Sequence, residues 1–237
     1  MNYGFDFSFV TDFWPNLLEG TWLSIKMSAL SLLLGFMAGV ALAIAKTEGG
    51  RFLRGIVTAF VDITRNTPLV VQAFWLFFGL AALHIRVPAF YAAIVALTIN
   101  TSGYTCEIVR AGMESVHKGQ KEAAACLSFT KAQILRYIVL PQAVEKMYPA
   151  LVSQFVLMML ASSIMSQISA DELTGVGYQI QSETFRGFEI FIIIAIIYVA
   201  LSWLLRISMS WCYDIAFPKS RNIQKNKHAA RQQGNPS

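Results

Sequence analysis

The chain has 237 residues, of which 55% are hydrophobic and only 14% charged, against about 25% charged in a typical soluble domain. That deficit excludes an ordinary water-soluble domain and points to a surface that faces lipid. The formal net charge of +5 is read as cytoplasmic loops, with no nucleic-acid partner, because basic residues in membrane proteins mark the cytoplasmic side.

The opening residues, MNYGFDFSFVTDFWPNLLEG, contain no Lys or Arg. A secretory signal needs a positive n-region, so the first apolar run is expected to stay in the mature protein, with residues 1–20 as an extracytoplasmic segment. A spanning helix needs about 20 mostly apolar residues. Five candidates follow, at residues 21–45, 55–83, 88–112, 148–168 and 188–211. Lys46, Arg51 and Arg54 follow the first span; Lys118, Lys121, Lys131, Arg136 and Lys146 lie in a long loop at about 113–147; Lys219, Arg221, Lys225, Lys227 and Arg231 lie in the tail. The intervening loops hold only Arg86 and Arg186, the latter beside the loop charges Asp171, Glu172 and Glu183. The expected fold is therefore an all-α integral membrane protein with five transmembrane helices over residues 21–217, N-terminus outside and C-terminus inside. The polar tail, 218–237, is expected to be disordered.

Polar residues at membrane depth are functional candidates by default. In the second span, Arg65, Asn66, Thr67 and Gln72 allow two readings. One long helix, kinked or broken, puts Arg65 about 15 Å deep, where it would need protein, water or an anionic group. Alternatively Thr67 caps a new helix with Pro68 as its first residue, and Arg65 sits at the inner surface. The second reading leaves only about 24 Å of helix, short of the roughly 30 Å core, so the longer helix is preferred. In the third span, Asn100 and Thr101 fall roughly 18–20 Å along, and Glu107 and Arg110 roughly 29–33 Å along. Three residues apart, Glu107 and Arg110 can pair on one face, as a structural ion pair or a gate. In the fourth span, Ser162, Ser163 and Gln167 either line a pathway or permit close helix packing.

No nucleophile, base and oxyanion set is evident; His84, His117 and His228 fall in loops or the tail. Cys106, Cys126 and Cys212 show no pair or ligand spacing and are read as small buried hydrophobes; no metal site is expected. There is no phosphate-binding glycine loop. The long loop instead has helical texture: alanine-rich from Gln120 to Leu127, then Thr130 as N-cap of a short helix at 131–137, closed by Pro141. A loop of such length is usually functional. On physics alone it is either a partner's docking surface or an amphipathic segment lying on the membrane.

Glu122-Ala123-Ala124, three residues, Ser128, nine residues and Ile138-Val139-Leu140-Pro141 resemble the EAA loop of ABC importer permeases, which has Gly in place of Ser128. GYTCEIVRAGMESVHKGQKEAA, at 103–124, is similar to the polar amino-acid permease signature. TRNTPLVVQAFWLFFGL, at 64–80, is similar to a second-span segment of the same family. The matches cover about 64–177 in the family's order, so the chain resembles a MetI-like type I permease of the polar amino-acid uptake family. The resemblance implies no catalysis by this chain and no cofactor bound by it; ATP and Mg are used by a partner ATPase. It implies two ATP-binding subunits, a second permease subunit (same chain or paralogue), an extracytoplasmic substrate-binding protein and an amino-acid substrate, in a bacterial inner membrane. Glu122, Ala123, Ala124 and Ser128 are the implied ATPase-coupling residues, with Lys131 and Arg136 as rim charges. Ser128 is expected to avoid positive φ and to cap the backbone with its hydroxyl. Where relatives carry a K-D-T-S-like sequence, this chain has Leu160-Ala161-Ser162-Ser163, which puts an ammonium-binding carboxylate there in doubt. The rival is a self-contained channel or carrier, disfavoured because stand-alone carriers are commonly built from repeated halves and no internal repeat is evident.

Overall fold

Two helices crossing at very close range organise the bundle. In the computed structural model, which describes residues 4–216, they are α1 (Val10–Glu48) and α4 (Ala89–Glu114). A Cβ on Gly35 would lie 2.6 Å from Thr101 Cβ, and one on Gly39 would lie 2.5 Å from Thr105 Cβ. Small residues spaced four apart let helix backbones approach where lipid supplies no hydrophobic drive. The other helices are α2 (Arg51–Asn66), α3 (Leu69–Ala82), α5 (Lys118–Cys126), α6 (Lys131–Ile168), α7 (Leu173–Thr184) and α8 (Gly187–Ala216). The described residues contain no strand. The tail expected to be disordered, 218–237, lies outside them, as does His228.

Four helices, α1, α4, α6 and α8, are long and apolar enough to cross a membrane. The first starts at Val10 rather than near residue 21, because residues 10–20 extend the helix and pack against α7, where Gly20 meets Val176 and Leu173. Lys26, inside α1, is exposed and stacks over the Trp22 ring at 5.1 Å, so its stem runs along apolar surface while its charge reaches outward.

The second expected span is not one helix. The chain is extended at Thr67 and Pro68, which divides it into an amphipathic α2 and an apolar α3 of about 21 Å. Proline disfavours the α conformation of the preceding residue, and Pro68 is the N-cap of α3, not its first residue. On α2, Val57, Val61 and Thr64 are the buried face.

Pro141 does not end a helix. One helix runs through it, from Lys131 to Ile168. A π-helical turn at Leu135–Val139, in which the Leu140 N–H reaches Leu135 O, precedes the proline and absorbs its missing N–H. The fourth span is therefore rigidly continuous with the second half of the loop. At its far end, Ser162–Ile168 tightens to a 3-10 helix.

Buried apolar side chains form three clusters. One at the basic end centres on Cys106, Val109, Met113 and Ala143. A middle one centres on Met27, Leu97 and Met165, and one at the acidic end on Leu17, Leu173, Ile180 and Ile190. Of the cysteines, Cys106 is buried as expected, but Cys126 and Cys212 are exposed: the first ends the short helix α5, the second lies in the last turns of α8.

Candidate functional site

The charged residues of the basic end converge on one carboxylate. Glu107 Oε1 accepts from Lys46 Nζ at 2.7 Å, and Glu107 Oε2 lies 2.7 Å from Arg110 Nη2. Arg110 also reaches Glu114 at 2.6 Å, and Arg65 Nη1 stands 3.9 Å from Glu107 Oε2. Glu107 is 17% exposed, so water reaches the network. The Glu107–Arg110 pairing expected from their spacing is present, as part of a larger set. Lys46 enters from the end of α1, and its own carbonyl, with that of Thr47, accepts from Arg54 at 3.0 and 3.3 Å. A cation on a helix C-terminus complements its dipole, so Arg54 ties α1 to α2.

The break between α2 and α3 is held by Gln72. Its side-chain amide donates to Thr64 O at 2.8 Å, Thr67 O at 3.1 Å and Thr67 Oγ1 at 2.8 Å. Those carbonyls lost their helical partners at the break, so Gln72 satisfies polar groups that would otherwise be left unpaired. Gln72 Oε1 accepts from Asn100 Nδ2 at 3.4 Å. Arg65 lies over the Tyr104 ring at 5.3 Å and is 40% exposed; the guanidinium is at the rim of the network rather than deep in the bundle. Asn66 is exposed and bonds Asp62 O. Thr101 is buried against Gly35, and Thr101 Oγ1 and Asn100 Oδ1 have no partner among the described residues. Thr67, Gln72 and Asn100 are thus brought together, while Arg65 belongs with Tyr104 and Glu107. Ser162 and Ser163 instead bond carbonyls three residues back, at 2.6 and 2.8 Å, and Gln167 is exposed.

In the loop, Glu122 and Ala123 are exposed while Ala124 is buried. Lys121 Nζ donates to Met113 O at 3.3 Å, and Gln142 Nε2 donates to Gln120 Oε1 at 2.7 Å, anchoring α5 on two sides. Ser128 does adopt a left-handed conformation, with φ of 62°, which overturns the expectation that it avoids positive φ. Ser128 N–H bonds Ala125 O at 3.0 Å and Phe129 N–H bonds Ala124 O at 3.1 Å. These are the paired bonds of a Schellman terminator, which requires positive φ at this residue, and the hydroxyl has no hydrogen bond among the described residues. Thr130 caps α6 with a full capping box to Gln133, as its position predicts. Lys131 is exposed and Arg136 stacks beside Tyr137 at 5.8 Å. Leu127, 73% exposed, and Phe129 add an apolar patch beside Glu122 that the charge-based reading missed; two large apolar residues in a polar loop were the available signal.

A second polar cluster lies at the other end of the bundle. Glu172, a carboxylate in the segment between the fourth and fifth expected spans, is 0% exposed. Its carboxylate accepts from Tyr198 OH at 2.6 Å, the Gly175 N–H at 2.9 Å and Ser24 Oγ at 3.3 Å. It is the N-cap of α7 and joins α1, α7 and α8. Burial pushes its carboxyl above the ordinary value of 4.5, and the Tyr198 hydrogen bond pulls the other way. An acidic residue directly before an apolar run was the capping signal.

The chain is similar to known membrane transport proteins over most of its length. The glutamine transport system permease protein GlnP of Escherichia coli (strain K12) is 33% identical over 203 residues, 85% of this chain and 93% of that protein. The arginine transport system permease protein ArtQ of Bacillus subtilis (strain 168) is 33% identical over 197 residues, 83% of this chain and 90% of that protein. The crystal structure of an amino acid ABC transporter with histidines superposes with a TM-score of 0.82 at 34% identity, covering 88% of this chain and 98% of that one. The profile of the binding-protein-dependent transport system inner membrane component matches residues 31–222. The Glu122 loop, its rigid continuation into α6 and the helices from α2 to α8 fall inside that match, and the chain belongs to the family of binding-protein-dependent transport system inner membrane components.

Proposed function

We propose that this chain is the permease subunit of an ATP-driven importer of amino acids, working with separate ATP-binding subunits and an extracytoplasmic binding protein. The observation that carries the coupling role is the geometry of the loop. Glu122 is exposed on a short helix that Lys121 and Gln142 anchor to the bundle, Leu127 and Phe129 are exposed just past its end, and α6 continues without a break into the membrane. A push on that surface is delivered to α6 as a rigid-body displacement. Glutamine and arginine, named for the relatives, set the expected substrate class of polar amino acids.

In this reading the basic end faces the cytoplasm, the N-terminus lies outside, and α3 together with the extended Thr67–Pro68 segment makes the fifth crossing, that segment lining the pathway. Broken helices are tolerated at membrane depth where they border a polar cavity. Arg65, Asn66, Thr67, Gln72, Asn100 and Thr101 line that pathway, Ser162, Ser163 and Gln167 border its outer half, and Glu107 with Arg110 gates it. Ala123, Ala124 and Ser128 shape the coupling surface, and Lys131 and Arg136 rim it. Two permease copies, identical or paralogous, enclose the path, and two ATPases bind ATP and Mg.

The test is reconstitution in liposomes with the ATPase subunits and binding protein of the system. Glu122→Ala is expected to reduce ATP-dependent uptake at least about tenfold while membrane insertion stays normal. Uptake down a gradient by the purified chain without ATPase would replace this reading with a self-contained channel.

A further inference from the structure

A cavity of about 540 Å³ opens at the basic end, away from Gln72 and Asn100 and on the inner side of the coupling segment. Three separate parts of the chain enclose it: the α1–α2 corner, the end of α4, and the loop with the start of α6. Lys46, Arg54, Arg110, Lys121 and Lys131 line it, together with Glu48 and Glu114. Lys46 and Arg110 are matched by Glu107 and Glu114. The other three cations are not matched by carboxylates. Arg54 and Lys121 donate to backbone carbonyls, and Lys131 has no partner among the described residues. Glu48 is the one remaining carboxylate in the lining, which leaves two positive charges in excess. Met113, Leu135 and Val139 supply an apolar floor.

We infer that this cavity binds a phosphate-bearing anion, which bridges the α1–α2 corner to the coupling segment. Like charges gathered from different segments repel one another, and an anion between them reverses the sign of that interaction. Basic pockets between helices at the inner membrane face suit anionic lipid headgroups, and a phosphorylated solute offers the same charge. The amphipathic lining accepts either. The site rests on the proposal that this end faces the cytoplasm, where both are at hand. A bound anion would hold Lys121 and Lys131 against Arg54 and so stiffen the link that carries motion from α5 to the bundle.

The experiment uses the full chain purified in neutral detergent. Phosphatidylglycerol and phosphatidylcholine are offered in turn, and retained lipid is counted by native mass spectrometry. Glycerol 3-phosphate is titrated separately against thermal unfolding. Lys121→Gln combined with Lys131→Gln is expected to weaken binding of the phosphate-bearing probe by about tenfold; Lys118→Gln, outside the lining, is not. Lys121→Arg with Lys131→Arg restores it, which separates loss of charge from loss of fold. Lysine-dependent retention of phosphatidylglycerol identifies a lipid site, and a lysine-dependent thermal shift with glycerol 3-phosphate identifies a soluble anion. If neither probe responds to the lysines, the inference is overturned. Binding is read without ATPase, so this failure is distinct from failure of the coupling test.

Discussion

The two ends of the bundle solve the same problem, a carboxylate among packed helices, in opposite ways. At the acidic end Glu172 is sealed from solvent and surrounded by hydrogen-bond donors, none of which carries a charge. At the basic end Glu107 keeps contact with water and is surrounded by Lys46, Arg110 and, more distantly, Arg65. A sealed carboxylate with three donors in fixed positions has no second arrangement to adopt. A carboxylate with more cations than it can satisfy can exchange partners at little cost. The first arrangement suits a static clamp of α1, α7 and α8; the second suits the gating role proposed for Glu107 and Arg110.

Removal of each carboxylate tests the contrast. The largest loss of stability is expected for Glu172→Ala, about 3 kcal/mol, because the substitution deletes a helix cap and leaves buried donors unsatisfied. Thermal unfolding of the detergent-solubilised protein measures it, and a loss below about 1 kcal/mol would show that the clamp is replaceable by water. Glu107→Gln is expected to cost about 2 kcal/mol, less than a fully buried pair would, since solvent screens the orphaned cations. Its transport defect should exceed its stability defect. A double-mutant cycle with Lys46→Met should give a coupling of about 1 kcal/mol, against near zero between Glu107 and the distant Glu172.

Ser128→Gly should raise stability by about 1 kcal/mol, because only the serine side chain opposes the left-handed turn. The same measurement made at Gly39, by Gly39→Ala, should go the other way, since a methyl there meets Thr105. The smallest effect concerns pH. A carboxyl whose folded-state value is raised favours the protonated form. Its stabilising contribution is therefore fully present below 4.5 and fades as pH rises through the raised value. Glu172→Gln removes that dependence, so the stability gap between the parent and this variant should narrow with rising pH; a gap that widens would mean the donors outweigh burial.

Much of the bundle was legible in the chain because its signals are local. The run FIIIAIIYVALSWLL needs only its own composition to declare α8. Glu107 and Arg110 meet because three residues make most of a helical turn, and Thr130 caps α6 because Gln133 stands at the reciprocal position. The misreadings share a different cause. Pro141 looked like a stop because its remedy, a π-turn, leaves no mark in composition. Ser128 looked unsuited to positive φ because the cost of one strained residue is visible locally, while the two terminating bonds that outweigh it are formed by residues before and after. Glu172 looked like a surface charge because its donors stand on α1 and α8, 148 and 26 residues away.

What the residues determined alone was the all-helical membrane character, the division into a basic and an acidic end, and the exposed Glu122 segment that marks the family. Periodicity, apolar length and charge are properties of neighbours along the chain. What the tertiary structure decided was which polar groups find partners: Gln72 at the broken span, Lys46 at Glu107, Tyr198 and Ser24 at Glu172. A carboxylate or an amide acquires its role only from the atoms within about 3 Å of it, and in this bundle those atoms arrive from distant turns of other helices.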